Sequence, residues 1–243
     1  MQLSFTNDYI FETIQGEGIF TGIPSVFIRL SGCNLRCEWR NHDGSTSLCD
    51  TPYSSHNPEK LIKSLEQVHA DVSSFATKHF VVTGGEPFLQ KNVTDLIDLL
   101  VSLGKFVTVE TNGSLYLESK AQFISLSPKL STSCVNTSAN YQSHQAKRIN
   151  IEALKSFVSS HDFQLKFVVN QALEFDEVEE IVKSLSDTVD EGLLRSRVLM
   201  MPQAVTAEQL KENSPVLIEE CIRRGYRFCD RLHVRLWGDK RGV

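Results

Sequence analysis

Cys33, Cys37 and Cys49 stand close together, while Cys134, Cys221 and Cys229 are scattered and read as structural, Cys221 on the apolar face of a helix. Six cysteines can make a disulfide framework, but clustered thiols in a reducing compartment more often serve metal binding or catalysis. Ser31-Gly32-Cys33-Asn34-Leu35-Arg36-Cys37-Glu38-Trp39 follows an apolar run and then turns. Two thiols four residues apart on a glycine-containing loop can reach one metal centre, and thiolates are the usual protein ligands of iron–sulfur clusters. Two other readings stay open: reduced loop cysteines, and a zinc site whose fourth ligand is His42 or His56.

Other residues point the same way. In Thr83-Gly84-Gly85-Glu86-Pro87 the glycines let backbone approach a ligand and Glu86 can accept from an ammonium group; a tight turn explains the glycines equally well. Arg29 interrupts the apolar run Val26-Phe27-Ile28-Arg29-Leu30. Its planar fork suits a substrate carboxylate, or else a structural ion pair. Ile14-Gln15-Gly16 can present backbone polar groups to a flat heterocycle or form a plain turn. Lys166 reads as paired, and His233 as a satisfied core histidine rather than a pocket residue.

The elements that must position these groups alternate. Short β-branched runs predict strands at Ser25–Leu30, His79–Val82, Phe106–Glu110, Phe123–Leu126, Gln164–Val169, Val198–Met200 and His233–Leu236. Amphipathic stretches predict helices at Pro58–Val68, Asn92–Leu103, Ile151–Ser159, Glu174–Ser186 and Ala207–Arg224, the last with Leu210, Val216, Leu217, Ile218, Cys221 and Ile222 as its stripe. Such alternation implies parallel strands with right-handed crossovers and ligands at the strands' carboxyl ends. Thr83–Pro87, Glu110-Thr111-Asn112-Gly113 and Ser127-Pro128-Lys129 each follow or end a predicted strand, where that rule puts the ligand.

The 243 residues carry no repeat or linker dividing them, so one domain spanning 1–243 is expected. A net charge of −5 argues against a general nucleic-acid binder, though a pocket can be locally basic. No apolar run approaches the ~18 residues of a membrane span, and Met1–Phe5 lacks a signal-peptide pattern. A cytoplasmic enzyme is the expectation.

Gly32–Trp39 resembles the opening of the radical S-adenosylmethionine signature, C-x3-C-x2-C. Thr13-Ile14-Gln15-Gly16-Glu17-Gly18, Gly22–Leu30, Thr83–Pro87, Glu110–Gly113, Ser127–Lys129, Lys166-Phe167-Val168 and Leu236–Val243 extend the likeness over most of the chain, to the 7-carboxy-7-deazaguanine synthase family. The resemblance implies a modified, incomplete (β/α) barrel of the α/β class. Its reaction would contract 6-carboxy-5,6,7,8-tetrahydropterin to 7-carboxy-7-deazaguanine with loss of ammonia, towards deazaguanine nucleosides such as queuosine. It also implies a 4Fe–4S cluster on Cys33, Cys37 and Cys49, and Mg2+ at Thr51. S-adenosylmethionine would lie against Leu48, Cys49, Asp50, Gly85, Glu86, Ser127, Pro128 and Lys129. Substrate would meet Ile14, Gln15, Gly16, Glu17, Arg29, Thr83 and the carboxylate of Val243. A flavodoxin- or ferredoxin-type electron donor and a homodimer would accompany these, with no direct nucleic-acid or membrane partner. Rival readings are another radical enzyme, such as a glycyl-radical activase, and a non-catalytic metal-binding relative.

The chain departs from the signature at one place. Arg40 stands where the third cysteine belongs, and the expected continuation appears as Cys49-Asp50-Thr51-Pro52-Tyr53-Ser54. Insertion of Arg40–Leu48 accounts for both; the alternative is a cluster lost at Arg40. Closing the longer loop costs only about 1 kcal/mol. Leu48 takes the position of the aromatic residue that precedes the third cysteine, and is expected with Cys49 and Asp50 against the adenine. Arg40–Ser47, with turn-forming Asn41-His42-Asp43-Gly44, is expected as a compact polar flap or a solvent-facing decoration. Cys49→Ala should therefore lose cluster iron and cofactor cleavage while Arg40→Ala keeps both, as iron and sulfide analysis after anaerobic reconstitution will show.

Overall fold

The computed structural model describes residues 2–41, 44–170, 172–238 and 240–243. Strands β1 (Gln2–Ile14), β2 (Pro24–Leu30), β3 (Glu38–Arg40), β4 (Thr46–Leu48), β5 (Leu61–Ser64), β6 (His79–Gly84), β7 (Phe106–Thr111), β8 (Phe123–Leu126), β9 (Asp162–Val169), β10 (Val198–Pro202) and β11 (Arg227–Phe228) alternate, from β5 on, with helices, except that β8 follows β7 directly. The helices are α1 (Leu65–Val72), α2 (Val93–Ser102), α3 (Tyr141–Lys147), α4 (Ile151–Ser160), α5 (Glu174–Ser184), α6 (Glu191–Ser196), α7 (Ala207–Arg224) and α8 (Leu232–Trp237).

Nine strands form one open sheet in the order β11-β10-β9-β8-β7-β6-β2-β1-β5. From β2 to β11 every pairing is parallel, and β1 and β5 add an antiparallel edge. This is the incomplete barrel that the alternation and the resemblance imply. One face of the strands packs against helices. Leu96, Ile97 and Leu100 of α2, and Leu154, Phe157 and Val158 of α4, are buried with Ile28, Phe80, Val82 and Ile124 in the main core. Full burial of each such side chain contributes roughly 1.5–3 kcal/mol.

The other face carries polar residues in register. Arg29 of β2 lies opposite Thr83 of β6. Glu110 of β7 lies opposite Ser125 of β8, which lies opposite Gln164 of β9. Because side chains alternate across a strand, each apolar run delivers its polar members to the inner face.

Several elements differ from the sequence expectations. His233–Leu236 belongs to helix α8, not to a strand: Leu232, Val234 and Leu236 alternate like a strand, yet only Val234 is buried. The expected helix Pro58–Val68 is split. Leu61–Ser64 pairs with β1, and the helix begins after Ser64, where Ser64 and Gln67 form a reciprocal capping box. In α7, Leu210, Leu217 and Cys221 are buried but Val216, Ile218 and Ile222 face outward, so the stripe is narrower than expected. β1 has no expected counterpart in the sequence reading, although it carries the Gln15-Gly16-Glu17 loop at its end.

The inserted segment is a β-hairpin. Glu38 pairs with Leu48, Trp39 with Ser47 and Arg40 with Thr46; the expected His42-Asp43 part of its turn lies outside the described residues. Folding the insertion back on itself returns the chain to its point of departure, and the Cys49 amide donates to the Cys37 carbonyl at 3.1 Å. Eleven intervening residues thus leave the second and third cysteines adjacent. The flap is compact, as expected.

Gly84 and Gly85 are explained by close backbone packing. Gly84 has φ +143°, and a Cβ there would lie 2.1 Å from the Leu30 carbonyl oxygen; one on Gly85 would lie 2.2 Å from that of Gly32. Both contacts are with backbone that cannot swing aside. Gly84→Ala should therefore destabilise the fold by about 3 kcal/mol, lowering the thermal midpoint by several degrees in a circular-dichroism melt.

Candidate active site

A cavity of about 470 Å³ opens at the carboxyl ends of the parallel strands, within the size range of small-molecule sites. Ile14, Gln15, Gly16, Glu17, Arg29, Cys33, Cys37, Leu48, Cys49, Asp50, Thr51, Thr83, Gly85, Ser127, Lys129 and Val243 all line it. Of the expected site residues only Glu86 and Pro128 do not; both are buried.

The three cysteines form one rim. Cys37 is buried with Leu35 and Trp39, with Cys33 and Cys49 packed against them. All are free thiols. Their loop is held by backbone and side-chain bonds: Gly32 N–H donates to Ser54 O at 2.8 Å and Glu86 N–H to Gly32 O at 2.9 Å, while the Asn112 side-chain Nδ2 donates to Asn34 Oδ1 at 3.0 Å. Burial pushes the Cys33 thiol up to about 11 and raises Cys37 and Cys49 as well. Such thiols are poor nucleophiles by themselves and become thiolates only when a metal supplies the charge. Thiols packed together on one loop suit the iron–sulfur reading, in which each binds a separate iron of a cluster.

The opposite side of the cavity is a buried charge network. Lys166 Nζ donates to Glu17 Oε2, and Arg231 Nε donates to Glu17 Oε1 at 2.9 Å. Arg231 Nη2 reaches Asp50 Oδ2 at 2.8 Å, and Nη1 donates to the Ala204 carbonyl at 2.5 Å. His233 Nε2 lies 3.8 Å from Glu17 Oε1. Burial opposes the charge on Glu17, but Lys166, Arg231 and His233 outweigh it and hold the carboxyl well below the usual range. Burial likewise opposes the Lys166 ammonium, and Glu17 and then Glu110 raise it above its ordinary value. Lys166 is paired, as expected. His233 is not a core residue: it lines the cavity, and a Cβ on Gly16 would sit 2.2 Å from its Nδ1.

Arg29 lines the same cavity, and among the described residues its guanidinium has no carboxylate partner; it lies over the Phe11 ring at 5.7 Å. The structural ion pair that competed for Arg29 is absent there. Thr83 Oγ1 and Gln15 Nε2 both donate to Glu110, at 2.9 and 3.1 Å.

Three of the expected groups are placed as follows. Glu86 does not present a free carboxylate: Oε1 accepts from Thr111 Oγ1 and Phe88 N–H, and Oε2 from Asn112 N–H. Burial lifts its carboxyl to about 7, and it ties the β6 and β7 ends together. The Gln15 backbone is used within its own turn, donating to Ile23 O and accepting from Gly22 N–H, while Gly16 O accepts from Leu232 N–H. Gly16 still lines the cavity with its backbone, beside the side chains of Gln15 and Glu17. Finally, Leu48 is 46% exposed while Trp39 is 9% exposed against the cysteines. The hairpin keeps the aromatic ring at the rim instead of displacing it.

This geometry can be set beside known proteins. Residues 14–125 match the family model described as a 4Fe-4S single cluster domain. A 7-carboxy-7-deazaguanine synthase of Rhodopirellula baltica is 40% identical over 237 residues, covering 96% of this chain and 86% of the relative. The chain belongs to the 7-carboxy-7-deazaguanine synthase family. A second relative of that name, from Halobacterium salinarum, is 34% identical over 95% of this chain and 89% of its own. The crystal structure of QueE from Escherichia coli superposes with a TM-score of 0.66 at 24% identity, over 96% of this chain and 95% of that one. Streptococcus suis SuiB bound to S-adenosylmethionine matches with a TM-score of 0.51 at 12% identity, over 86% of this chain and 51% of that one.

For a 7-carboxy-7-deazaguanine synthase the donor set fits the expected group: three thiols packed on one rim, none of them in a disulfide. Arg231 and Arg241 are not singled out in the sequence, and Trp39, Tyr53 and Glu110 appear there only as members of longer motifs. Arg231 and Glu17 are 214 positions apart, so no local pattern announces their pairing. Arg241 binds Glu59 through both Nη atoms, at 3.0 and 2.8 Å, and stacks on Tyr53 at 3.7 Å. This fastens the segment leading to Val243 against the cavity.

The network has a stability signature. The depressed Glu17 pKa contributes stability that is present above about pH 4.3 and lost as pH falls towards the folded value. Removing one member of a buried pair costs about 3–5 kcal/mol. Lys166→Met should show such a loss in chemical denaturation, and adding Glu17→Gln should cost less than the sum of the two single losses.

Proposed function

We propose that the chain converts 6-carboxy-5,6,7,8-tetrahydropterin to 7-carboxy-7-deazaguanine and ammonia, as a carbon–nitrogen lyase feeding deazaguanine nucleosides of the queuosine type. The observation that carries this reading is the cavity shared by a three-cysteine rim and an Arg29 guanidinium without a carboxylate partner among the described residues. Family membership supplies the reaction, and Arg29 supplies the recognition: a planar cation is the complement of a substrate carboxylate.

Cys33, Cys37 and Cys49 would hold the 4Fe–4S cluster. With S-adenosylmethionine bound there, the pair supplies the radical that takes a hydrogen atom from the pterin. The protein's part is positional. Arg29 holds the carboxylate, and the ionised Glu17 accepts hydrogen bonds from the amino-pyrimidine edge. Lys166 and Arg231 keep Glu17 charged and fixed. Ser127 and Lys129, whose Nζ donates to Ser127 Oγ at 2.8 Å, offer polar groups to the cofactor, and Gly85 allows its close approach. Thr51 offers a hard oxygen to Mg2+ beside the substrate, and Val243 extends the substrate wall. A flavodoxin or ferredoxin would deliver the electron. The protein works as a homodimer in the cytoplasm; among the described residues no helix is long and apolar enough to cross a membrane.

Reconstituted anaerobically and reduced, the protein should form 7-carboxy-7-deazaguanine from the carboxypterin. Cofactor cleavage without that product would overturn the reading. Arg29→Met should raise the Michaelis constant for the pterin about 10–100-fold, the equivalent of a charge-assisted contact of roughly 1.5–3 kcal/mol, while leaving iron content unchanged.

A further inference from the structure

Arg231 lies between two loops with different tasks. Its Nε holds Glu17, at the end of the loop leaving β1, and its Nη2 holds Asp50, which directly follows Cys49. The third arm, Nη1, is fixed on the Ala204 carbonyl, so the guanidinium has a backbone anchor. Its side chain is 9% exposed and that of Glu17 13%, so the Glu17 arm is shielded from water, while the Asp50 side chain is 49% exposed and its arm lies towards the open side. The same segment is tied to the β1 loop a second time, where Leu232 N–H donates to Gly16 O at 2.9 Å.

We infer that Arg231 is a positioning residue that couples occupancy of the pterin subsite to binding of S-adenosylmethionine. The inference rests on the proposed function, and on Arg231 making both ion pairs from one rigid plane. A guanidinium is a planar fork, so its two carboxylate arms cannot move independently. When pterin N–H donors draw on Glu17, part of its charge is engaged by substrate. Arg231 then interacts more strongly with Asp50, fixing the strand of chain that carries Cys49 and Asp50 against the cofactor. Lys166 keeps the other Glu17 oxygen in place, so the change is passed to Arg231 rather than absorbed by movement of Glu17. By linkage the effect is reciprocal: cofactor must tighten pterin binding by the same factor.

The test uses the cluster-loaded protein without reductant, so that no turnover occurs. Equilibrium dialysis measures S-adenosylmethionine affinity with and without saturating 6-carboxytetrahydropterin, and the pterin is also titrated alone. In the parent the pterin should tighten cofactor binding at least about 5-fold, the lower end of ordinary coupling between sites. In Arg231→Met the factor should fall below about 2-fold, under that range. Arg231→Lys should not restore it, because an ammonium cannot bridge both carboxylates; a residue serving only as a buried charge would be rescued by lysine. Should Arg231→Met fail to fold or to take up cluster iron, Asp50→Ala carries the same expectation, since it removes one arm and leaves the Glu17 arm intact. A parent factor of one, or a parent-like factor in either Arg231→Met or Asp50→Ala, overturns the inference while leaving the proposed function standing. Absence of any pterin binding overturns both.

Discussion

Glu17 is a carboxylate placed where water hardly reaches it, and the site is arranged around keeping it charged. Burying an ion costs several kcal/mol even after relaxation, so the position is tenable only with close cations. Lys166 comes from strand β9, and Arg231 from the turn before α8. Neither is near Glu17 in sequence. The pairings therefore gather the β1 loop, the sheet interior and the C-terminal segment at one point, and bring Asp50 of the cysteine segment with them.

The cysteine rim depends on a different economy. A loop lengthened between two ligands would ordinarily disorder the site, but here the added residues pair with each other as β3 and β4. The paired strands and the Asn41 N–H bond to Ser45 O hold the described part of the insertion together, and Cys49 returns to hydrogen-bonding contact with Cys37. Trp39 is retained beside the thiols as a consequence. An insertion that closes on itself is tolerated because it leaves the geometry at its two ends unchanged.

Between these two sides the parallel sheet supplies alignment. Strands whose outer faces pack on helices turn their polar members inward, and the parallel register brings Arg29 beside Thr83 and Glu110 beside Ser125. Hydrogen bonds from Thr83 and Gln15 then fix Glu110, while Glu86 joins the ends of β6 and β7 from below the surface. The cavity wall is thus held where the strands end, by side chains together with the backbone of Gly16 and Gly85.

Much of this was legible in the chain. Alternating apolar runs and amphipathic stretches determined the parallel α/β class, and the resemblance of Cys49–Ser54 to the family's continuation pointed to Cys49 as the partner of Cys33 and Cys37, which the fold packs together. Those are local signals, carried by neighbouring residues. Tertiary structure decided what local signals cannot carry. Leu232, Val234 and Leu236 have a strand-like alternation, yet form a helix because only Val234 finds a core to enter. Glu86 resembles a ligand contact until its donors from β7 are in place. Arg29 lacks a carboxylate partner among the described residues, and Arg231 has two; no composition or period distinguishes them, because a charge's partner is set by which distant strand the fold brings within reach.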